Sequence, residues 1–232
     1  MRKRTAGKVI LRVAAALVLA NSVEVLHANP GDETRVFTIH VSNYAAVEHG
    51  TLNEAEKVAT EIFRKAGVES RWVDTPVGPQ DSSPVSAADN RLSQLRLSIL
   101  SPTMTARIAP EATSMGLAPG AGADRLLVYV FYGKVESLSN DLMATTVSRH
   151  CPPVSRGLIL GQAIAHEIGH ILLNLAVHSP TGIMRGTWDS KDFENAMRGN
   201  LVFTAQQAET IRAEVARRAM AREQIDETQS AF

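Results

Sequence analysis

The stretch HEIGHILLNLAVHSPTGIMR, residues 166–185, decides how the rest of the chain is read. In a helix, at about 100° per residue, His166 and His170 stand roughly 40° apart on one face, with Glu167 close beside them. Ile164, Ile168, Ile171 and Leu175 fall on the other side. Two imidazoles can therefore reach one ion while the back of the helix packs inward. Zinc binds imidazole nitrogen well, and a catalytic zinc site uses three protein ligands and keeps a fourth position for water. Glu167 is poorly angled to ligate but well placed to take a proton from that water. The blander reading is an amphipathic helix with a solvated His/Glu face. It fits poorly with the small residues Ala163 and Gly169 beside the pair and with Leu173 on the histidine face.

Working outward, the helix carrying this motif is expected over Gly157–Asn174, because Asn174 is, after glycine, the residue best able to close a helix in the left-handed conformation. Pro180 bars any continuation and biases Ser179 to an extended conformation. Upstream, Arg35–Val41 has strong strand propensity. Asn53 with Glu56 predicts a helix start, followed by an apolar stripe of Ala55, Val58, Ala59, Ile62, Phe63 and Ala66 that Gly67 ends. Val68–Val73 reads as a second strand, so strand, helix and strand form a crossover unit with parallel pairing. Asp74–Asn90 and Pro110–Asp124 are rich in loop formers. Gln94–Leu100 alternates like a half-buried strand, and Arg125–Tyr132 should lie centrally in the sheet. Residues 137–156 carry no decisive pattern, although Ala144–Ser148 can be read as an edge strand. Thr204 with Gln207 opens a long charged helix with Ala208, Ile211, Val215 and Ala219 inward.

A chain of 232 residues can bury an ordinary core without disulfides. Arg2, Lys3, Arg4, Lys8 and Arg12 precede the apolar run Val13–Ala20 and small residues, the pattern of a secretory signal ending at Ala20 or Ala28. The run is much shorter than the ~20 residues that span a bilayer. Removing residues 1–28 takes away five basic residues and one acidic one, leaving 19 Lys+Arg against 23 Asp+Glu, which argues against nucleic acid as a partner. With Cys151 as its single cysteine, an exported chain has no internal disulfide available.

Residues 178–185, HSPTGIMR, resemble the matrixin branch of the metzincin zinc proteases, in which the third histidine is followed by serine, a short loop and the methionine of the Met-turn. Met184 falls eighteen residues after His166, as in that pattern. The long metzincin motif HExxHxxGxxH places a glycine where Leu173 stands and its third histidine where Ala176 stands, so the ligand is shifted two residues later, to His178. One extra helical residue, a turn near Asn174 and an extended run to Pro180 would deliver His178 to the position of the family's ligand. The resemblance implies an α+β fold with an α/β-like N-terminal part: a twisted mixed sheet, a crossover helix, an active-site helix, a Met-turn and a C-terminal helix. After the signal peptide at 1–28, it also implies a single zincin-like domain over 29–232, divided at 175/176. His166, His170 and His178 would hold Zn2+, Glu167 would act as general base, and Met184 would support the ligand cage from below without binding.

Three alternatives stand beside this. The third ligand of another zinc-protease class is an acidic residue further on, here Asp189, Asp192, Glu194 or Glu209. A thiolate from the His150–Cys151 pair would silence the site. An exported scaffold could also bind metal, or a partner, without turnover. Astacin-like relatives have a tyrosine two residues after the methionine, where this chain has Gly186; Arg185 and Trp188 are close enough in sequence to line the pocket. His27, His40 and His49 have no partner pattern. The function expected is a secreted or periplasmic, monomeric zinc endopeptidase with a peptide or protein substrate and no membrane span after signal removal.

Overall fold

Alternation of Phe37, Ile39 and Val41, all buried, gives the first strand, β1 (Val36–Asn43), one apolar face. A computed structural model describes residues 35–77, 94–119, 126–146, 154–175 and 178–230. The leader, the Cys151 pair and most of the 74–90 loop lie outside the described residues. After β1, the Asn43 side chain grips Val47 from both sides, accepting from its N–H and donating to its carbonyl at 3.0 Å each. That fixes the turn into α1 (His49–Lys65). The helix therefore starts a turn earlier than the expected Asn53 cap, with Glu48 at the cap position and no side-chain cap bond. Burial of Leu52 ahead of Ala55, Ala59, Ile62 and Phe63 extends the apolar stripe back one turn, and packing overrides the capping signal. Gly67, at φ 80°, closes the helix, and β2 (Glu69–Asp74) then pairs parallel with β1, as the crossover reading predicts.

β3 (Gln94–Leu100) joins the other side of β1, also parallel. A short helix the sequence reading did not anticipate follows, α2 (Pro102–Ile108), capped by Ser101 with proline in the first turn. The stretch expected to be only loop contributes a two-residue strand, β4 (Gly116–Leu117), antiparallel to β5 (Leu127–Phe131). The sheet order is β2-β1-β3-β5-β4. β5 is thus an interior strand, next to the middle strand β3. Beyond β5 the chain enters α3 (Tyr132–Thr146), which corrects the expected edge strand at Ala144–Ser148: residues 144–146 are helical. Tyr132, Val135 and Ser139 are buried on it, and a serine in the apolar row hides the helical period from a sequence reading.

The motif helix, α4 (Arg156–Leu172), runs through the core, and every residue from Ile159 on is buried. It crosses α1 at Gly161, where a Cβ would lie 2.6 Å from the Ala55 carbonyl. Leu175, expected on the apolar back of this helix, lies beyond its end and is exposed. The chain continues through α5 (Ser190–Met197), also unanticipated, to α6 (Ala205–Ser230). Thr204 and Gln207 form the predicted capping box with bonds of 3.0 and 3.3 Å. Ala208, Ile211 and Val215 are buried as expected, whereas the next inward position is Arg218, 1 % exposed and paired with Glu214 at 2.7 Å, rather than Ala219. The described residues thus make a mixed α/β architecture, with a mostly parallel five-stranded sheet and six helices. Among them no helix is long and apolar enough to cross a membrane.

Candidate metal centre

The start of α4 is pinned before its histidines are reached. Ser155 caps it, accepting from the Leu158 N–H at 3.0 Å while its own hydroxyl donates to Glu54 of α1 at 2.6 Å. A carboxylate beside a helix N-terminus also complements the positive end of the helix dipole. At the far end Leu173 keeps a helical conformation, Asn174 turns left-handed at φ 49°, and the Leu175 N–H closes onto the His170 carbonyl at 3.2 Å. The extra helical residue and the turn at Asn174 are as the sequence reading expects. The chain then comes back: the Ser179 N–H donates to the Met184 carbonyl at 2.8 Å, and Ile183 is tied to the Val202 carbonyl at 3.0 Å.

This path brings His166, His170 and His178 together, with one potential ligand atom from each lying within 4.8 Å of the others. Their ring centroids form a nearly equilateral triangle of 4.9, 5.0 and 5.2 Å. His166 and His170 are buried and His178 is exposed. Gly186 makes room for the third ring, since a Cβ there would sit 2.9 Å from His178 Nδ1.

The donor set fits a metal ion on tautomer grounds. His166 Nδ1 lies 2.8 Å from the Ile183 carbonyl, and His170 Nδ1 lies 2.9 Å from the Leu175 carbonyl. Carbonyls only accept, so the ring protons belong on Nδ1 and both Nε2 atoms present lone pairs. Those two Nε2 atoms face each other at 3.2 Å. Tetrahedral zinc with nitrogen ligands at 2.0–2.1 Å would hold them ~3.3 Å apart. A proton could also bridge them, but burial, reinforced by the neighbouring histidines, brings the His166 pKa down to about 4 against the partial support of the Ile183 carbonyl. The three histidines could hold a metal ion.

Glu167 is buried, and that burial alone pushes its carboxyl up to about 8. Its side chain lies against Gly116 of the edge strand, where a Cβ would be 2.8 Å from Glu167 Cδ. The Phe131 N–H donates to the Met115 carbonyl at 2.8 Å, and Gly116 stands opposite Val130. In an antiparallel ladder that alternation leaves the N–H and C=O of Gly116 pointing away from β5. The outward carbonyl accepts from the Ser114 hydroxyl at 2.8 Å. A cleft of about 750 Å³ opens here, with β4, α3 and the 185–188 segment as walls and His166, Glu167, His170 and His178 on its surface.

Met184 is 1 % exposed beneath α4, and a Cβ on Gly169 would come within 2.6 Å of its Sδ. The acidic alternatives serve elsewhere. Asp189 and Asp192 form the capping box of α5, and both bind Arg185. Glu194 pairs with Arg198 at 3.7 Å, and Glu209 is exposed on α6; none joins the histidine cluster among the described residues. Arg185 lines the cleft with its guanidinium engaged, and Trp188 lines it half-buried. His40 bonds Gln94 at 3.0 Å across the sheet and His49 begins α1, away from the site. The sequence reading missed Gly116; its only signal was a glycine in a loop-like stretch. No family model matches this chain, and no curated protein matches it.

Proposed function

We propose that the protein is an exported zinc-dependent endopeptidase of the metzincin type, acting as a monomer on peptide or protein substrates. The observation that carries this reading is the pair of Nε2 atoms facing each other at 3.2 Å, with the His178 ring completing a triangle and a buried carboxyl next in sequence, all at the wall of an open cleft. His166, His170 and His178 would hold the ion. Bound zinc would supply Lewis acidity, lowering the pKa of a water to about 7 and polarising the scissile carbonyl.

The remaining steps belong to the chain's own groups. Glu167 takes the proton from the attacking water and hands it to the leaving amine, and its burial keeps competing solvent from that proton. An extended substrate adds to the sheet beside β4, bonding to the outward N–H and C=O of Gly116. Because Gly116 also rests on Glu167, the same residue sets the height of the peptide over the base. The Ser114 hydroxyl occupies the outward carbonyl until a substrate N–H takes its place.

The test pairs stoichiometry with turnover. One zinc per wild-type chain, much less in His178→Ala after equal dialysis, and chelator-sensitive cleavage of a peptide library lost in Glu167→Ala are expected. Zinc retained equally by both chains removes His178 from the set; zinc bound without turnover leaves a binding scaffold.

A further inference from the structure

The Ile183 carbonyl receives two donors. One is His166 Nδ1 at 2.8 Å; the other is the indole Nε1 of Trp188 at 3.1 Å. A carbonyl oxygen has two lone pairs, so both bonds form at once and their directions fix the peptide plane between them. The Ile183 N–H is held as well, by the Val202 carbonyl at 3.0 Å. The indole ring also stands edge-on to the His166 ring, at 5.7 Å and 82°, and edge-on to Phe193 of α5 on its other side, at 6.2 Å and 85°. Asp189 and Asp192, gripped by Arg185, anchor the start of α5 and thereby the segment that carries Trp188.

We propose that Trp188 is a positioning residue for the metal ligand His166, acting through the shared Ile183 carbonyl and through ring contact, so that α5 holds the orientation of a ligand borne by α4. This rests on the metal reading of the site. An imidazole on a helix can still rotate about its own side-chain bonds, and the ring is fixed only if the carbonyl receiving its Nδ1–H is fixed. His170 is supported differently, by a carbonyl of its own helix terminus. Partners one shell out from a metal commonly affect its affinity by 10–100-fold.

Trp188→Phe keeps an aromatic ring and removes the N–H. In the full chain it should weaken zinc binding roughly tenfold, measured by competition with a chromophoric chelator. It should also alter the visible spectrum of the cobalt-loaded protein, with circular dichroism unchanged. Lower thermal stability with unchanged zinc affinity and cobalt spectrum would mean simple packing and overturn the proposal, as would tighter binding. Should the variant not fold, the two indole N–H resonances of the wild type decide. Trp72 donates to Thr60 at 2.8 Å, so zinc uptake should shift and protect the Trp188 indole and leave that of Trp72 in place. Two unmoved resonances overturn the proposal. A wild type that takes up no zinc overturns it together with the metal reading, whereas normal wild-type uptake with an unaffected variant overturns it alone.

Discussion

The two halves of the histidine cluster are built in opposite ways. His166, Glu167 and His170 ride on a helix buried along almost its whole length, capped by Ser155 and locked at its end by Asn174. His178 stands exposed on a segment with no regular structure, placed by the turn at Asn174, the bonds around Met184 and the empty space at Gly186. Buried helical side chains are preorganised by the core itself; the third histidine depends on a few backbone contacts. The lesson is that the helix half should tie chemistry to global stability, while the loop half should change metal affinity with little effect on the fold.

The largest effect expected is on turnover. Glu167→Gln should reduce kcat by roughly 10²–10⁴, the usual worth of a general base, with zinc content unchanged. The metal-free fold should gain stability, because a buried carboxyl is replaced by a group that never ionises. An active Glu167→Gln variant would remove Glu167 from the chemistry.

Next is Gly169→Ala. Its methyl would meet the Met184 sulfur at 2.6 Å and Phe203 at 2.8 Å. Overpacking of this kind costs about 1–3 kcal/mol, visible as a lower denaturation midpoint. A neutral result would show that the Met184 turn yields easily and that the two halves are less distinct than proposed.

A pH series sharpens the same contrast in the metal-free protein. Burial raises Glu167 from 4.5 to about 8, so the folded state keeps a proton that the unfolded state has released, and stability falls as pH rises through that window. Burial lowers His166 from 6.5 to about 4, so its contribution rises with pH between those values. The slopes oppose each other from about pH 4.5 to 6.5 and leave a plateau. Above it only Glu167 acts, and about 2 kcal/mol should be lost between pH 6.5 and 8, at ~1.4 kcal/mol per unit. Bound zinc favours the ionised carboxylate, so the loaded protein should stay level in thermal melts over that range. Parallel curves for the two forms would show that Glu167 does not sense the ion.

The helix half was legible in the sequence because four-residue spacing fixes two side chains on one face wherever a helix forms, and the Asn174 turn was legible because few residues tolerate a left-handed backbone. The Thr204 cap was legible for a similar local reason. What stayed hidden depends on partners distant in sequence. Gly116 acquires meaning only where β4 meets Glu167, and α3 follows a serine-interrupted period that resembles neither helix nor strand. Trp188 was visible as a neighbour of the pocket, but the carbonyl it shares with His166 belongs to a turn whose shape Val202 helps to set.

The smallest effect on stability, and the sharpest test of the loop half, comes from Gly186→Ala. The backbone of Gly186 does not have a positive φ, so alanine there is not strained in itself, and the position is exposed. The three atoms nearest the added methyl all belong to His178, the closest being Nδ1 at 2.9 Å. Thermal stability should therefore change by no more than about 0.5 kcal/mol, as for ordinary surface substitutions, while zinc affinity falls because the third ring must swing away. His178→Ala should lower affinity further on its own. If Gly186 acts only through His178, the double variant should bind zinc as weakly as His178→Ala and no more weakly, because the methyl then has no ring to displace. Additive losses would mean that Gly186 shapes the site by another route, and that the loop half is held together by more than the seat of one histidine.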